Sequence, residues 1–432
     1  METARCIICG SNDKWKNVDK FRLKPVGMAL CQQCGMMTYP KIISDKSKLT
    51  EYYEEEYRKA PGWGNMCSAQ RKMHFHGAFL KPLLDEWKEK QITPDVFEIG
   101  AAFGSFLYWM RSFFPKGTFS GTELTKSFVR NAYWLYGLNL KKEFDTSKQY
   151  DLIASYKVAE HMIDADKEIE KYAACLKPGG KLYISIPAWF DRMSNFGAGG
   201  FDIEYYYSTN HINCWTRKQF EYLLAKYHLK IVKEDHAMYD DTYLCEYDPS
   251  VDPINNGHEN VEEQEKKLEA IFNANEFFKQ NKYEDAIKTY PNFPLAWSGF
   301  FESNRAKFNE HGYEWIIENV INKAIEACPN SFEPLILAGD ISMRYSEWEK
   351  ALGYFERVGK MRPNDPKILM NISNCFRHMA QGSDDIGMKF KFLNEAREIT
   401  KFLIQVSQED MTQGYNWLMA DNAKIPTPHE KA

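Results

Sequence analysis

Two short stretches carry cysteines at a spacing that does chemistry. "CIICG" supplies Cys6 and Cys9, and "CQQCG" supplies Cys31 and Cys34, each pair closing a tight turn with a glycine just after the second thiol. Four thiolates arranged this way can meet at one tetrahedral zinc ion with Zn–S bonds of about 2.3 Å. They leave no open coordination position, so such a zinc is structural and not catalytic. The other six cysteines, Cys67, Cys175, Cys214, Cys245, Cys328 and Cys375, are scattered. That usage fits a reducing compartment, where paired cysteines indicate metal before disulfide.

The stretch "VFEIGAAFGSF" is an apolar run ending in Glu98, followed by Gly100, Ala102 and Gly104. It reads as a strand, a turn and a helix start where the backbone comes close to a ligand. Its pattern is ExGxxxG and not the GxGxxG that seats a pyrophosphate on a helix terminus. With a carboxylate at its start and no lysine or arginine nearby, the loop favours a cationic or neutral ligand over phosphate. The next apolar burst, "TFSGTEL", ends in Glu123, placed to accept hydrogen bonds from ribose hydroxyls. Asp145, in "EFDTSKQYDLIASY", is expected to accept from an adenine amino group. An adenosine ligand with positive charge and no phosphate points to S-adenosylmethionine (SAM).

The elements that must hold these residues follow from pattern. "DVFEIG", "TFSGTEL", "YDLIASY" and "KLYISIP" are short apolar bursts bounded by turn residues, with helical patterns between them. Strands alternating with helices predict an α/β fold on a parallel sheet. The tail has another regularity: Pro329-Asn330 and Pro363-Asn364 stand 34 residues apart, the tetratricopeptide period. Between them Gly339, Ala351 and Phe355 supply that repeat's small and aromatic positions, and Ala286 and Tyr290 mark an earlier unit cut short by Pro291. Stacked helix pairs of this kind form a curved surface for a protein partner or for self-association. The expected boundaries are a cysteine head at 1–45, an α/β domain at 46–248, a linker at 249–262 rich in Pro, Asn, Gly and charge, helical repeats at 263–424 and a short end at 425–432. A net charge of -5 without a basic block makes nucleic acid a poor partner. The start "METARCIICG" lacks a signal pattern, and no apolar run approaches the roughly 18 residues of a membrane span, so a cytoplasmic protein is expected.

From about residue 45 to 245 the chain resembles a class I SAM-dependent methyltransferase. "FEIGAAFGSF" resembles the glycine motif, "GTEL" with Leu124 the ribose-binding acid and its neighbour, "YDLIASYKVAEH" with Ser155 the fourth-strand motif, and "LKPGGKLYISIP" the entry to the fifth strand. Ala102 and Phe103 stand where a small-Gly or Asp-Gly step is more usual, which predicts a tighter pocket floor. The resemblance implies a Rossmann-like domain; with the cysteine spacing and the 34-residue period, the expected architecture is that domain preceded by a small zinc ribbon and followed by an all-α, tetratricopeptide-like domain. A CxxC…CxxC ribbon before such a domain, and "EYYEEEYR" after it, is similar to the sugar-nucleotide C-methyltransferase branch. That branch carries a YHEH segment serving carbon methylation; here "FDIEYYYSTNHINCWT" matches it at His211 but has Asn210 at the glutamate position. The HIN plus Thr pattern is closer to O- and N-methyltransferase relatives.

A sugar hydroxyl is a weak nucleophile, so a base is expected, whereas a free amine needs far less help. His161, beside Glu160 in "VAEHMIDAD" just past the fourth strand, and His211 in a later irregular segment are the candidates. Tyr205, Tyr206 and Asn210 are candidate acceptor contacts in a glycine-hinged, aromatic lid, and Tyr57 is a weaker one. The expected acceptor is a carbohydrate, either a nucleotide-linked sugar or a surface-glycan intermediate. The alternatives are a protein or small metabolite, methylated on O or N, and a non-catalytic SAM-binding scaffold.

Overall fold

The computed structural model describes residues 5–12, 14–18, 28–38, 51, 66–187, 211–236, 240–362 and 365–422, without the side chains of 66–75 and 405–422. Tyr57, Tyr205, Tyr206, Asn210, the lid glycines and Pro363-Asn364 lie outside the described residues.

The head contributes three short strands, β1 (Trp15–Asn17), β2 (Ala29–Cys31) and β3 (Met37–Thr38). Next comes a long helix, α1 (Met66–Glu89), and then an alternation of β4 (Asp95–Ile99), α2 (Ser105–Phe113), β5 (Thr118–Gly121), α3 (Lys126–Tyr136), β6 (Tyr150–Tyr156), α4 (Ala165–Ala174) and β7 (Leu176–Pro187). After residue 210 follow β8 (Asn213–Cys214), α5 (Arg217–Lys226), β9 (Leu229–Asp235) and β10 (Asp240–Tyr247).

β4 to β7 pair in parallel, with β4 and β6 at the centre and buried on both faces. Double-sided burial is why these strands read as continuous apolar runs and not as an alternation. The expectation of a parallel sheet needs one correction. The order is β5-β4-β6-β7-β10-β9, and β10 runs antiparallel to both β7 and β9, so the sheet is mixed. β9 and β10 are joined by a direct return with no crossover helix, which permits only antiparallel pairing. One face of the sheet packs under α1, α2 and α3 and the other under α4 and α5.

The head is joined to the rest at two places. β8, from the far side of the domain, completes its sheet in the order β1-β2-β3-β8. The stretch 249–262, expected as a linker, runs against it: the Glu259 amide donates to the Cys34 carbonyl at 3.0 Å, and a side chain at Gly257 would collide with Tyr222 and Ile8. Val18, Met28, Leu30 and Met37 share one core with Leu268, Ile271 and Phe272 of the first tail helix. Each fully buried aliphatic side chain of this sort contributes about 1.5–3 kcal/mol, so the small head is stabilised by the tail.

The tail is built of helix pairs. These are α6 (Val261–Lys279) with α7 (Tyr283–Thr289), α8 (Pro294–Asn309) with α9 (Tyr313–Ile316) and its continuation α10 (Asn322–Ala327), α11 (Glu333–Arg344) with α12 (Trp348–Met361), and α13 (Pro366–Gly382) with α14 (Ile386–Asn422). Asn260 caps α6 and Asp365 caps α13, each accepting two amides of the first turn. Gly339 has a steric reason to be glycine: a Cβ there would lie 2.5 Å from the Phe355 ring. Among the described residues no helix is long and apolar enough to cross a membrane.

Candidate active site

At the carboxyl end of β4 the chain turns through Gly100 (φ 65°), Ala102 (φ 48°) and Gly104 (φ 76°) into α2. A left-handed backbone costs a residue with a Cβ about 1–2 kcal/mol, and at Ala102 a hydrogen bond offsets it. The Ala102 amide donates to Glu123 Oε2 at 2.8 Å, while the Thr125 amide donates to Glu123 Oε1 at 2.7 Å. Glu123 therefore ties the glycine turn to the entry of α3, with lone pairs to spare for a ligand. Phe103 turns into the core against Phe128, with ring centroids 4.5 Å apart, so the tighter floor expected from it is not its role.

Glu98 lies buried at the end of β4, with Oε2 lacking a hydrogen-bond partner. Burial, and then repulsion from Glu123, push its carboxyl well above the usual range. Burial also raises Glu123, against the opposing pull of its bonds to backbone amides. Two neighbouring carboxyls held up in this way would both be relieved by a cation. Leu124 is exposed beside them, and Ser155, wholly buried near the end of β6, has an unpartnered hydroxyl.

Asp145 is not brought to this end of the sheet. Its carboxylate takes the Ser147 hydroxyl at 2.6 Å and the Ser147 amide at 3.1 Å, and its carbonyl accepts from the Tyr150 hydroxyl. Neighbouring Thr146 meets Cys175 just before β7, beside the amino end of β6. The adenine role expected of Asp145 is corrected by this placement.

Past β6 the chain passes through Lys157 (φ 57°) and Val158 into a single 3-10 turn, Ala159–His161. Val158 packs on the glycine turn: a Cβ at Gly100 would come within 2.6 Å of it. Glu160 is fully buried, neither carboxylate oxygen has a hydrogen-bond partner, and burial raises its carboxyl to about 8. His161 Nε2 lies 3.8 Å from Glu160 Oε1, and the His161 and His211 rings are 4.8 Å apart between centroids. Ligand atoms of all three residues lie within 4.8 Å of one another. The structure thus joins two histidines that lie far apart in sequence around a carboxyl inside the fold.

Sequence reasoning missed what holds them. Asn213, fully buried, donates from Nδ2 to the carbonyls of Met162 at 2.5 Å and Ala159 at 3.3 Å, bracketing the turn that bears Glu160 and His161. A second buried network lies on the α1 side: His76 bonds the Tyr183 hydroxyl and packs edge-on against Tyr156 at 4.4 Å, and Tyr156 donates to Asp240 at 2.9 Å. A lone histidine within a helix gives no sequence signal of such a partner.

In the head the four cysteines converge, with Sγ atoms within 4.8 Å of one another. Cys6 Sγ lies 3.5 Å from Cys34 Sγ, and Cys9 Sγ lies 3.6 Å from Cys31 Sγ. A tetrahedral ion with Zn–S bonds of about 2.3 Å sets its sulfurs about 3.8 Å apart, so the donor set fits.

A protein-family profile described as a methyltransferase domain matches residues 69–234. Residues 69–234 form a methyltransferase domain. No curated protein matches it. Among solved structures, an O-methyltransferase family protein from Burkholderia thailandensis is 15% identical over 46% of this chain and 64% of its own, with a TM-score of 0.33. PH0226 protein from Pyrococcus horikoshii is 16% identical over 45% of this chain and all of its own, with a TM-score of 0.35. Magnesium protoporphyrin IX methyltransferase from Synechocystis, with bound SAH, is 14% identical over 46% and 99%, with a TM-score of 0.33. Likenesses this shallow carry no argument about an acceptor.

Proposed function

We propose that the enzyme methylates a carbohydrate hydroxyl, on a nucleotide-linked sugar or a surface-glycan intermediate. The observation that carries this is the Glu160, His161 and His211 cluster beside the glycine turn: a buried carboxyl and two imidazoles suit an alcohol, which must lose a proton, better than an amine, which needs little help. The carbohydrate class is supported by the ribbon and His211 resemblance described above, and Asn210 at the glutamate position favours oxygen over carbon. Methylation of a protein or small metabolite is the second reading, favoured by a tail of stacked helices suited to a polypeptide.

In this reading Glu98 faces the cationic end of SAM, Gly100, Ala102 and Gly104 let the backbone approach it, Glu123 takes the ribose hydroxyls, and Leu124 and Ser155 line the pocket. The acceptor oxygen attacks the methyl carbon as the sulfur–carbon bond breaks, the bonding pair stays on sulfur, and the hydroxyl proton passes to an imidazole of the pair. The leaving sulfide is neutral and needs no acid. Cys6, Cys9, Cys31 and Cys34 would hold a zinc that supplies rigidity and no chemistry. The helix pairs are read as tetratricopeptide-like, with Gly339 against Phe355 as the small and aromatic contact.

The test is a thermal shift with SAH bound. A nucleotide sugar that raises the melting temperature further, where free amino acids and peptides do not, is the expected result; a rise with peptides alone would transfer the assignment to the second reading.

A further inference from the structure

His211 and the pair Glu160 and His161 come from places about 50 residues apart in the sequence. Their proximity therefore has to be imposed from elsewhere, and the contacts lead back to the cysteine head. Asn213 brackets both ends of the Glu160 turn from inside β8. The opposite edge of β8 pairs with β3, Met37 against Cys214 and Thr38 against Asn213, and Thr38 Oγ1 donates to the Ile212 carbonyl at 2.6 Å. The Cys214 thiol in turn contacts the His211 carbonyl at 3.5 Å.

β3 itself leaves the thiolate knuckle, in which the Cys31 amide donates to Met36 and the Gly35 amide to Cys31, each at 2.8 Å. The Cys34 carbonyl is held from two sides, by Gln219 Nε2 at 2.9 Å and by the Glu259 amide at 3.0 Å. Backbone hydrogen bonds and strand pairing thus connect the knuckle to both halves of the acceptor cluster. The cofactor-side turn is held differently: its bonds join Ala101 to Thr122, Thr122 to Glu98, and Ala102 to Glu123, with no residue of the knuckle among them.

We propose that Thr38 and Asn213 are positioning residues through which the four-cysteine knuckle sets the approach of His211 to Glu160 and His161. This makes the acceptor side, and not SAM binding, dependent on the state of the thiolates. The proposal rests on the reading of that cluster as the acceptor-activating site, although the contacts that carry it are independent of which acceptor is used.

The experiment uses the full chain as wild type, Asn213→Ala and Thr38→Val, and wild type stripped of metal with a chelator. Four quantities are followed: metal content, SAH affinity, the ring NMR signals of His161 and His211 across pH, and the rate of methyl transfer. Asn213→Ala is expected to keep its metal and its SAH affinity within about twofold, to move both ring signals, and to lose about tenfold or more in transfer, the scale of one or two lost buried hydrogen bonds. Thr38→Val, which keeps side-chain shape, moves the same signals by less, and chelation moves them without abolishing SAH binding. If ring signals stay put in Thr38→Val and in the stripped protein, or if SAH affinity falls in step with metal loss, the coupling is overturned. Should wild type transfer no methyl group to a hydroxyl, the functional reading fails, while the ring signals still decide the coupling.

Discussion

On the side proposed to hold the cofactor, the hydrogen bonds of the glycine turn join residues within 98–125, close in sequence and adjacent in the sheet. On the side proposed to take the acceptor three stretches meet and hydrogen-bond one another, residues 36–38, 159–162 and 211–214. A site made of backbone turns can be written in one short motif. A site made of side chains from distant strands needs a scaffold to bring them together, and here the scaffold includes the cysteine head. The consequence is mechanical: damage to the cofactor side should stay local, whereas the acceptor side should answer to changes well away from it.

The largest effect that would sharpen this contrast is at His211. His211→Ala should lower methyl transfer by about 10² to 10⁴-fold, the usual worth of a positioned base, with SAM affinity unchanged in a calorimetric titration; a parallel loss of affinity would erase the division between the two sides. Glu123→Ala should do the reverse, weakening SAM by about 10 to 100-fold through loss of its charge-assisted bonds while leaving the ring signals of His161 and His211 where they are.

A change in the tail serves as a control on both. Gly339→Val drives a side chain into the Phe355 ring and should cost about 1–3 kcal/mol of stability as overpacking does, read by denaturant unfolding, with SAM affinity intact. Weakened SAM binding in that variant would mean that the tail belongs to the site.

A further effect is a pH dependence. Burial raises Glu160 from the ordinary 4.5 to about 8, so the folded chain retains a proton that the unfolded chain has released. Its contribution to stability is present below about 4.5 and is lost as pH rises through about 8. Melting temperature should therefore decline across that window in wild type and decline less in Glu160→Gln, and equal slopes would show that the carboxyl is compensated by a partner.

The same contrast explains what was legible in the sequence. The strand and turn from Val96 to Phe106 could be read because apolar run, acid and glycines are contiguous, and the methyltransferase assignment followed. The α/β layering was visible for the same reason, but the antiparallel β10 was not, because strand direction depends on a return and not on composition. Glu160, His161 and His211 could be named as residue types, yet their meeting could not be foreseen, since it rests on Asn213 and on pairing of β3 with β8. Asp145 misled for the converse reason: an acid at a plausible interval was already committed to its neighbour Ser147.

The most direct test of the account is methyl transfer itself. SAM carrying a labelled methyl group, added with wild type or His211→Ala to a cell extract split into small-molecule and macromolecular fractions, should place label in a nucleotide-sugar or glycan fraction with wild type only, while both proteins bind SAM. Label confined to protein, or equal labelling by the variant, would contradict it.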